Sequence, residues 1–202
     1  MGREVQCRVR SGGKQSNGKA LLETSEIVFR GALRLKIPIA SLKSVVARNG
    51  ELHLKWLENS AVFELGEQAE KWAHKILHPK STAEKLGVKP GSRISALRLS
   101  ETEVLKDARK AAAAFAEDKT LIDSDVVFFG AETASDLARI KKVIPSLAIN
   151  GALWVVYPKG RNEITELQVL NAGRDAGLVD IKVVGYAATH TALKFVRPKS
   201  KR

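Results

Sequence analysis

The stretch Val126-Val127-Phe128-Phe129 decides the fold class of this chain, and Leu153-Trp154-Val155-Val156 repeats its pattern. Both are short, unbroken apolar runs, which predict strands that are buried on both faces. Strands of that kind lie in parallel sheets covered by helices, and helical periodicity is present in Glu101–Ala116, Ser135–Val143 and Glu163–Ala176. A parallel α/β layer is therefore predicted for the C-terminal part of the chain.

The chain closes this layer with a different kind of strand pair. Lys182–Tyr186 and Ala192–Arg197 have only a short connection between them, so they are predicted to pair antiparallel. A small parallel sheet that ends in an antiparallel hairpin is the arrangement of the methyltransferase-like variety of the Rossmann-like fold. Residues 85–198 are few for that fold, so a trimmed version is expected.

The N-terminal part alternates apolar and polar residues at period two, which predicts strands with one buried face. Seven short strands over the first 65 residues are followed by an amphipathic helix at Gly66–Leu77. This order predicts a PH-like half-barrel with a C-terminal helix. Asn49-Gly50 is expected to form a hairpin turn, and the polar stretch Ser11–Lys19 a long loop. The proline-marked segment His78–Glu84 separates two predicted domains, 1–79 and 85–198.

Several motifs of the second domain carry a family resemblance. Leu86–Gly91 opens it, Gly151–Lys159 contains Tyr-Pro-Lys, and Ala176–Val183 and Thr189–Val196 close it. Together they resemble a bacterial domain family that is described as methyltransferase-like and has no demonstrated chemistry. The leading PH-like segment resembles the one that accompanies this domain in related proteins. The resemblance implies a fold and leaves the activity open.

Charge is the compositional feature that indicates partners. The net charge is +12, and residues 1–80 and 81–202 carry +6 each, so the excess is spread evenly. A dense basic run occurs only at the C-terminus, Arg197–Arg202. Excess Lys and Arg attract phosphate polyanions. No apolar run is long enough to cross a membrane and no secretion signal begins the chain, so a cytoplasmic location is expected.

The turn after the first parallel strand lacks the cofactor motif of this fold. Nucleotide-binding and methyltransferase folds need glycines there, because the backbone must approach the cofactor closely. Here Leu99-Ser100-Glu101 contains no glycine, and Ser100 with Glu103 is predicted to form a helix capping box. No bound cofactor is therefore expected. Common catalytic signatures are also missing, and the single cysteine and four scattered histidines predict no metal site.

Ligands of open α/β sheets bind beyond the carboxyl ends of the strands, so the residues there are candidates for binding. Lys159 and Arg161 could present cations to an acidic group, although a solvated basic loop is the simpler interpretation. Thr189, His190 and Glu132 could add hydroxyl, imidazole and carboxylate groups, although Thr189 and His190 also suit a structural turn. None of these five residues is predicted to be catalytic.

Three functions remain open at this point. The leading hypothesis is a non-catalytic binding or scaffold protein whose partner is a protein or an acidic or phosphorylated ligand. An alternative is a small-molecule transferase with an atypical cofactor site. A second alternative is a weak nucleic-acid binder that uses the diffuse positive charge and the basic C-terminal tail.

Overall fold

The computed structural model describes residues 3–199 of the chain. It divides into two compact units, of which one ends at Pro79 and the other begins at Lys80. Each unit has its own sheet and its own buried core. Of the basic C-terminal run, Ser200–Arg202 lie outside the described residues. Arg197 is held in place, since its guanidinium donates to the carbonyl oxygen of Ile144 at 2.8 Å.

The first unit is a curled antiparallel half-barrel sheet followed by one helix. Neighbouring strands pair in the order β4-β3-β2-β1-β7-β6-β5. Helix α1 (Gln68–Leu77) follows, and its Ala69, Trp72, Ala73 and Ile76 are buried. The strands are β1 (Arg3–Ser11), β2 (Lys14–Leu22), β3 (Glu26–Gly31), β4 (Arg34–Pro38), β5 (Leu42–Arg48), β6 (Glu51–Trp56) and β7 (Asn59–Glu64).

Two hairpin turns of this unit test the predictions from sequence. Asn49 and Gly50 have φ of 51° and 76° between β5 and β6, so the predicted turn is confirmed. The predicted long loop at Ser11–Lys19 is wrong. Only Gly12 and Gly13, with φ of 55° and 72°, form the turn, and β2 begins at Lys14. Two consecutive glycines satisfy a tight hairpin, which lets the polar residues after them pair with β1 on the exposed face.

The second unit is a mixed sheet with helices on both faces. Its strands pair in the order β12-β13-β11-β10-β8-β9. Strands β8, β9, β10 and β11 are parallel, whereas β13 is antiparallel to both β11 and β12. The strands are β8 (Arg93–Leu97), β9 (Ala114–Glu117), β10 (Ser124–Gly130), β11 (Leu147–Pro158), β12 (Val179–Gly185) and β13 (His190–Val196). The predicted parallel sheet with a terminal antiparallel pair is confirmed.

The helices of this unit cover two separate apolar clusters. One cluster packs Ala83 of α2 (Thr82–Lys85) and Leu105 of α3 (Glu103–Ala111) against the sheet. The other packs Val143 of α4 (Ile140–Val143) and Val169 of α5 (Glu166–Asp175) against the opposite face. Both faces of the central strands are therefore buried, as their unbroken apolar runs require.

One predicted helix is too long. Helix α3 ends at Ala111, and residues 114–116, the end of the predicted helix Glu101–Ala116, belong to the edge strand β9 (Ala114–Glu117). The alanine run favours a helix locally, but Ala114 pairs with Arg93 and the Ala113 amide donates to the Ser92 carbonyl. Pairing along the free edge of β8 outweighs helix propensity, which contributes only tenths of a kcal/mol per residue.

Candidate functional site

The turn after β8 is where this kind of fold would hold a cofactor, and the chain itself fills it. Arg98 follows the strand with a φ of 55°, and a side chain added at Gly130 of β10 would meet the Arg98 carbonyl oxygen at 2.1 Å. The Arg98 amide donates to Oδ1 of Asp118 at 3.0 Å. Asp118 stands just after β9, about where a dinucleotide fold places its ribose-binding acid. Its carboxylate here binds the protein's own backbone.

The Arg98 side chain is bound as well. Its guanidinium donates to Oδ1 of Asp136 at 2.6 Å. The other carboxylate oxygen of Asp136 accepts from the amides of Glu132 and Thr133 and from the Thr133 hydroxyl, each at 3.1 Å. Burial by itself would raise the pKa of Asp136, but these hydrogen bonds and the Arg98 charge outweigh it and hold the pKa below its ordinary value.

The predicted Ser100–Glu103 capping box is wrong. Helix α3 begins at Glu103, and its N-cap is Thr102, whose hydroxyl accepts from the Leu105 amide at 3.3 Å. The Thr102 hydroxyl also lies 3.1 Å from the Tyr186 hydroxyl. Thr102 has extended backbone angles, so the helix starts later than the serine spacing indicates.

The acidic side chains near this turn are neutralised. The Arg109 guanidinium donates to both carboxylate oxygens of Glu101 at 3.1 Å, and Lys106 donates to Glu103 at 2.7 Å. These hydrogen bonds lower the pKa of both glutamates. The turn is therefore closed by contacts of Arg98 and not by acidic repulsion.

Three of the five candidate residues lie together at the end of the sheet. His190, the first residue of β13, places Nε2 3.1 Å from Oε1 of Glu132 and Nδ1 2.9 Å from the Thr189 hydroxyl. A carboxylate, an imidazole and a hydroxyl thus form one hydrogen-bonded chain. The side chain of Glu132 is 59% exposed, so this chain of groups lies at the surface and is not enclosed by a cavity.

The two basic candidates are arranged differently. Lys159 follows β11, and its ammonium donates to the Ala187 carbonyl at 2.9 Å, while its amide donates to the Thr189 carbonyl at 2.9 Å. Lys159 therefore joins the loop that carries Thr189. Arg161 lies beyond the Gly160 turn and is exposed. The structure brings Lys159 to the Thr189 loop and does not bring Arg161 into contact with it.

A basic groove lies beside the closed turn and was not predicted from the sequence. Its apolar floor contains Leu97, Phe129 and Val143, and its volume is about 680 Å³. The remaining lining residues are polar or charged: Arg98, Asp118, Lys119, Thr120, Arg139 and Lys142. Four cations thus surround one acid, and that acid already accepts a hydrogen bond from the Arg98 amide. We call this feature the basic groove.

The groove residues come from four separate segments of the chain, so no local sequence motif predicts the groove. The feature of the sequence from which the basic groove could have been predicted is the short link between β9 and β10. Only residues 118–123 connect these strands. A link of that length has no room for a helix over this part of the sheet, and the sequence prediction of a long α3 concealed it.

Two other features bear on function. Over residues 3–199 there is no group of three or more His, Cys, Asp or Glu side chains that could hold a metal ion. No helix in the same range has the length and apolar character needed to cross a membrane.

Similarity to known proteins is found among solved structures. Protein-family models and curated proteins give no match. Among solved structures, a SAM-dependent methyltransferase from Aquifex aeolicus is similar at 14% identity, covering 55% of this chain and 85% of that chain, with a TM-score of 0.46. A precorrin-6y C5,15-methyltransferase from Geobacter metallireducens is similar at 12% identity, covering 58% and 86%, with a TM-score of 0.42. In the second unit, β13 lies antiparallel between β11 and β12.

Proposed function

We propose that this is a non-catalytic binding protein whose second unit takes an acidic or phosphorylated ligand. The observation that carries the proposal is Arg98, whose backbone and side chain occupy the position from which a cofactor would be held. A cofactor cradle needs free backbone amides and room for close approach. Here the Arg98 amide is bonded to Asp118 and the Arg98 carbonyl is packed against Gly130.

Adenosylmethionine, the cofactor that the fold implies, does not fit these residues. The glycines that would let the backbone approach it are missing, and Asp118 is already bonded. Its sulfonium group is positively charged, so Lys119, Arg139 and Lys142 of the basic groove would repel it. An anionic ligand would instead be attracted to the same surface. The residues therefore support anion binding over methyl transfer.

The candidate residues of the sheet end belong to this proposal as a second contact region. Lys159 and Arg161 supply positive charge, and Thr189, His190 and Glu132 supply hydrogen-bonding groups. We assign the two units to a PH-like domain, residues 1–79, and a degenerate Rossmann-like domain, residues 85–198. We also assign the protein to the cytoplasm. The basic tail and the even positive charge keep weak nucleic-acid binding as an alternative.

A transferase with an atypical site is the second candidate function, and one observation favours it. The hydrogen-bonded chain from Glu132 through His190 to Thr189 has the order of groups that activates a hydroxyl. Its exposure argues against it, because such catalysis depends on a water-excluded site.

Isothermal titration calorimetry of the full chain tests the proposal. Adenosylmethionine is expected to give no heat of binding, whereas at least one anion among pyrophosphate, adenosine diphosphate and citrate is expected to bind. Saturable binding of adenosylmethionine together with methyl transfer would overturn the proposal. A protein that binds none of the three anions would overturn it as well.

A further inference from the structure

The basic groove has the composition of a site for a ligand that carries both an apolar portion and an anionic group. Its floor is apolar, with Phe129 and Val143 almost fully buried and Leu97 half-buried. Its lining also contains the exposed cations Lys119, Arg139 and Lys142, which form a cationic rim. A volume of about 680 Å³ falls within the range of roughly 300–1,000 Å³ that small-molecule sites occupy.

The groove is open because the sheet is trimmed at this position. The apolar cluster on this face is built from β10, β11 and β13 together with helices α4 and α5, and Leu97 packs against it from β8. The short link 118–123 passes directly from β9 to β10. No helix lies between β9 and β10, and the groove lies at the carboxyl ends of β8 and β10, where open α/β sheets bind ligands.

The charges of the rim are not balanced inside the groove. Arg98 is engaged by Asp136, so its guanidinium is largely neutralised. Lys119, Arg139 and Lys142 face no carboxylate among the groove residues except Asp118, which is bonded to the Arg98 amide. Arg139 and Lys142 lie three residues apart, which places them on the same side of the chain. Like charges held around a concave, partly apolar surface raise the local concentration of anions.

We propose that the basic groove binds the phosphate or diphosphate group of a small ligand whose apolar portion packs beside Leu97. This inference rests on the proposed function and gives it a site and a ligand class. Arg139 supplies a planar fork of donors for phosphate oxygens, and Lys119 and Lys142 supply point charges. Such a ligand differs from adenosylmethionine in the sign of its charge, so the same groove selects one and rejects the other.

The other candidate surfaces give weaker support for an anion-binding site. The region of Glu132 and His190 lies at the surface and is only a second contact region, because its carboxylate makes it a weaker anion site than the basic groove. In the first unit, Arg30 and Arg34 lie directly opposite each other on β3 and β4, beside a second shallow groove. That groove borders Lys36, which is paired with Glu26 at 3.2 Å, so part of its charge is already balanced.

A matched pair of double variants of the full chain tests the inference by calorimetry. Arg139→Gln/Lys142→Gln removes two rim charges of the groove. Lys89→Gln/Lys141→Gln removes two charges from exposed residues of the same unit that do not line it. Lys141 is the sharper control because it adjoins Lys142. Thermal melting of each variant checks that it remains folded.

The probes are pyrophosphate and adenosine diphosphate at moderate salt. The groove variant is expected to bind both at least about thirty-fold more weakly than wild type, because two charge-assisted hydrogen-bonding groups are lost. The control variant is expected to stay within about threefold of wild type, because only long-range, screened charge is lost. Tighter binding of adenosine diphosphate than of pyrophosphate would identify a nucleoside portion, whereas equal binding would identify the phosphate group alone.

The outcomes separate this inference from the proposed function. If both variants bind the probes like wild type, or weaken them equally, the groove is not the site, although anion binding stands. If wild type binds citrate but neither phosphate probe, the ligand class is wrong and the binding function stands. If wild type binds no anion at all, both proposals are overturned.

Discussion

The turn after β8 and the basic groove lie side by side at one edge of the sheet, and they have opposite characters. In the turn, the Arg98 amide donates to Asp118 and the Arg98 guanidinium donates to Asp136. In the groove, three cations of the rim have no carboxylate among the lining residues with which to pair other than Asp118. The difference teaches that loss of a glycine loop need not leave an inert edge, because closing one position can leave the next one open.

The largest expected effect concerns the closed turn. Replacing Gly130 with Ala places a methyl group against the Arg98 carbonyl, at a built distance of 2.1 Å. Because the methyl group would meet a backbone oxygen that cannot rotate away, we expect the free energy of unfolding to fall by about 3 kcal/mol, as in strongly overpacked cores. Urea denaturation measures this change.

Gly185→Ala is the control for that experiment. Gly185 has no positive φ, and the nearest atom to an added methyl group is Nζ of Lys159, at 3.9 Å. Its free energy of unfolding should change by less than about 1 kcal/mol, as for most exposed substitutions. A Gly130→Ala protein as stable as Gly185→Ala would show that the turn is not closed against β10.

A smaller effect is expected at Asp136, which anchors the Arg98 side chain. Asp136→Asn weakens the charge-assisted hydrogen bonds from Arg98 and from the Glu132 and Thr133 amides, so we expect a loss of about 1.5 kcal/mol at pH 7. Thr133→Ser keeps the amide and the hydroxyl that bond to Asp136, and it serves as the control.

The Asp136 effect should depend on pH in a known direction. The pKa of Asp136 lies below its ordinary value of 3.8 in the folded protein, so the carboxylate stabilises the fold at all pH values above that. This stabilisation is lost as the pH falls through the folded-state pKa. The stability difference between wild type and Asp136→Asn should therefore be constant from pH 5 to 7 and shrink below about pH 4. A difference that grows in acid would contradict the assignment.

Anion binding at the basic groove should depend on the salt concentration. Affinity for pyrophosphate is expected to fall about tenfold between 50 and 500 mM NaCl, because partly exposed charges are screened. Lys119→Gln should lower the affinity at low salt and flatten this dependence. An affinity that does not change with salt would mean that the rim charges do not contact the anion.

The smallest expected effect is at the end of the sheet. His190→Ala removes the imidazole between Glu132 and Thr189, yet it should change pyrophosphate affinity by less than about twofold, since the residue lines no part of the groove. A larger loss would move the anion site from the groove to the region of His190. Thr189→Ala distinguishes a role of the hydroxyl from one of the ring.

Sequence reasoning succeeds where a residue's environment is set by its neighbours in the chain. The runs at 126–129 and 153–156 predict buried strands because every residue in them is apolar, and Asn49-Gly50 predicts its turn because both residues tolerate positive φ. Sequence reasoning fails where contacts with residues distant in the sequence determine the local structure. Ala114 lies in a strand because it can pair with Arg93 at the edge of the sheet. Thr102 and not Ser100 is the N-cap of α3, and the Thr102 hydroxyl also contacts the Tyr186 hydroxyl.

The candidate site shows the same limit. Glu132 is predicted because it follows a parallel strand, and Thr189 and His190 because they lie in the polar turn between the last two strands; the structure brings the three together. The basic groove was missed because Lys119, Arg139 and Lys142 are ordinary surface cations in the linear sequence. Their meaning depends on the short link 118–123, which leaves them beside the half-buried Leu97 at the carboxyl edge of the sheet.

That six-residue link is also a natural point at which the chain could lengthen. Surface connections accept insertions more readily than packed elements, so an inserted helix here would cover Leu97 and Phe129 without disturbing the core. Among related chains, the number of residues between these two strands would then distinguish proteins that keep the groove from proteins that have covered it. In engineering terms, the link is a place where a designed segment could cover the groove while the rest of the unit stays unchanged.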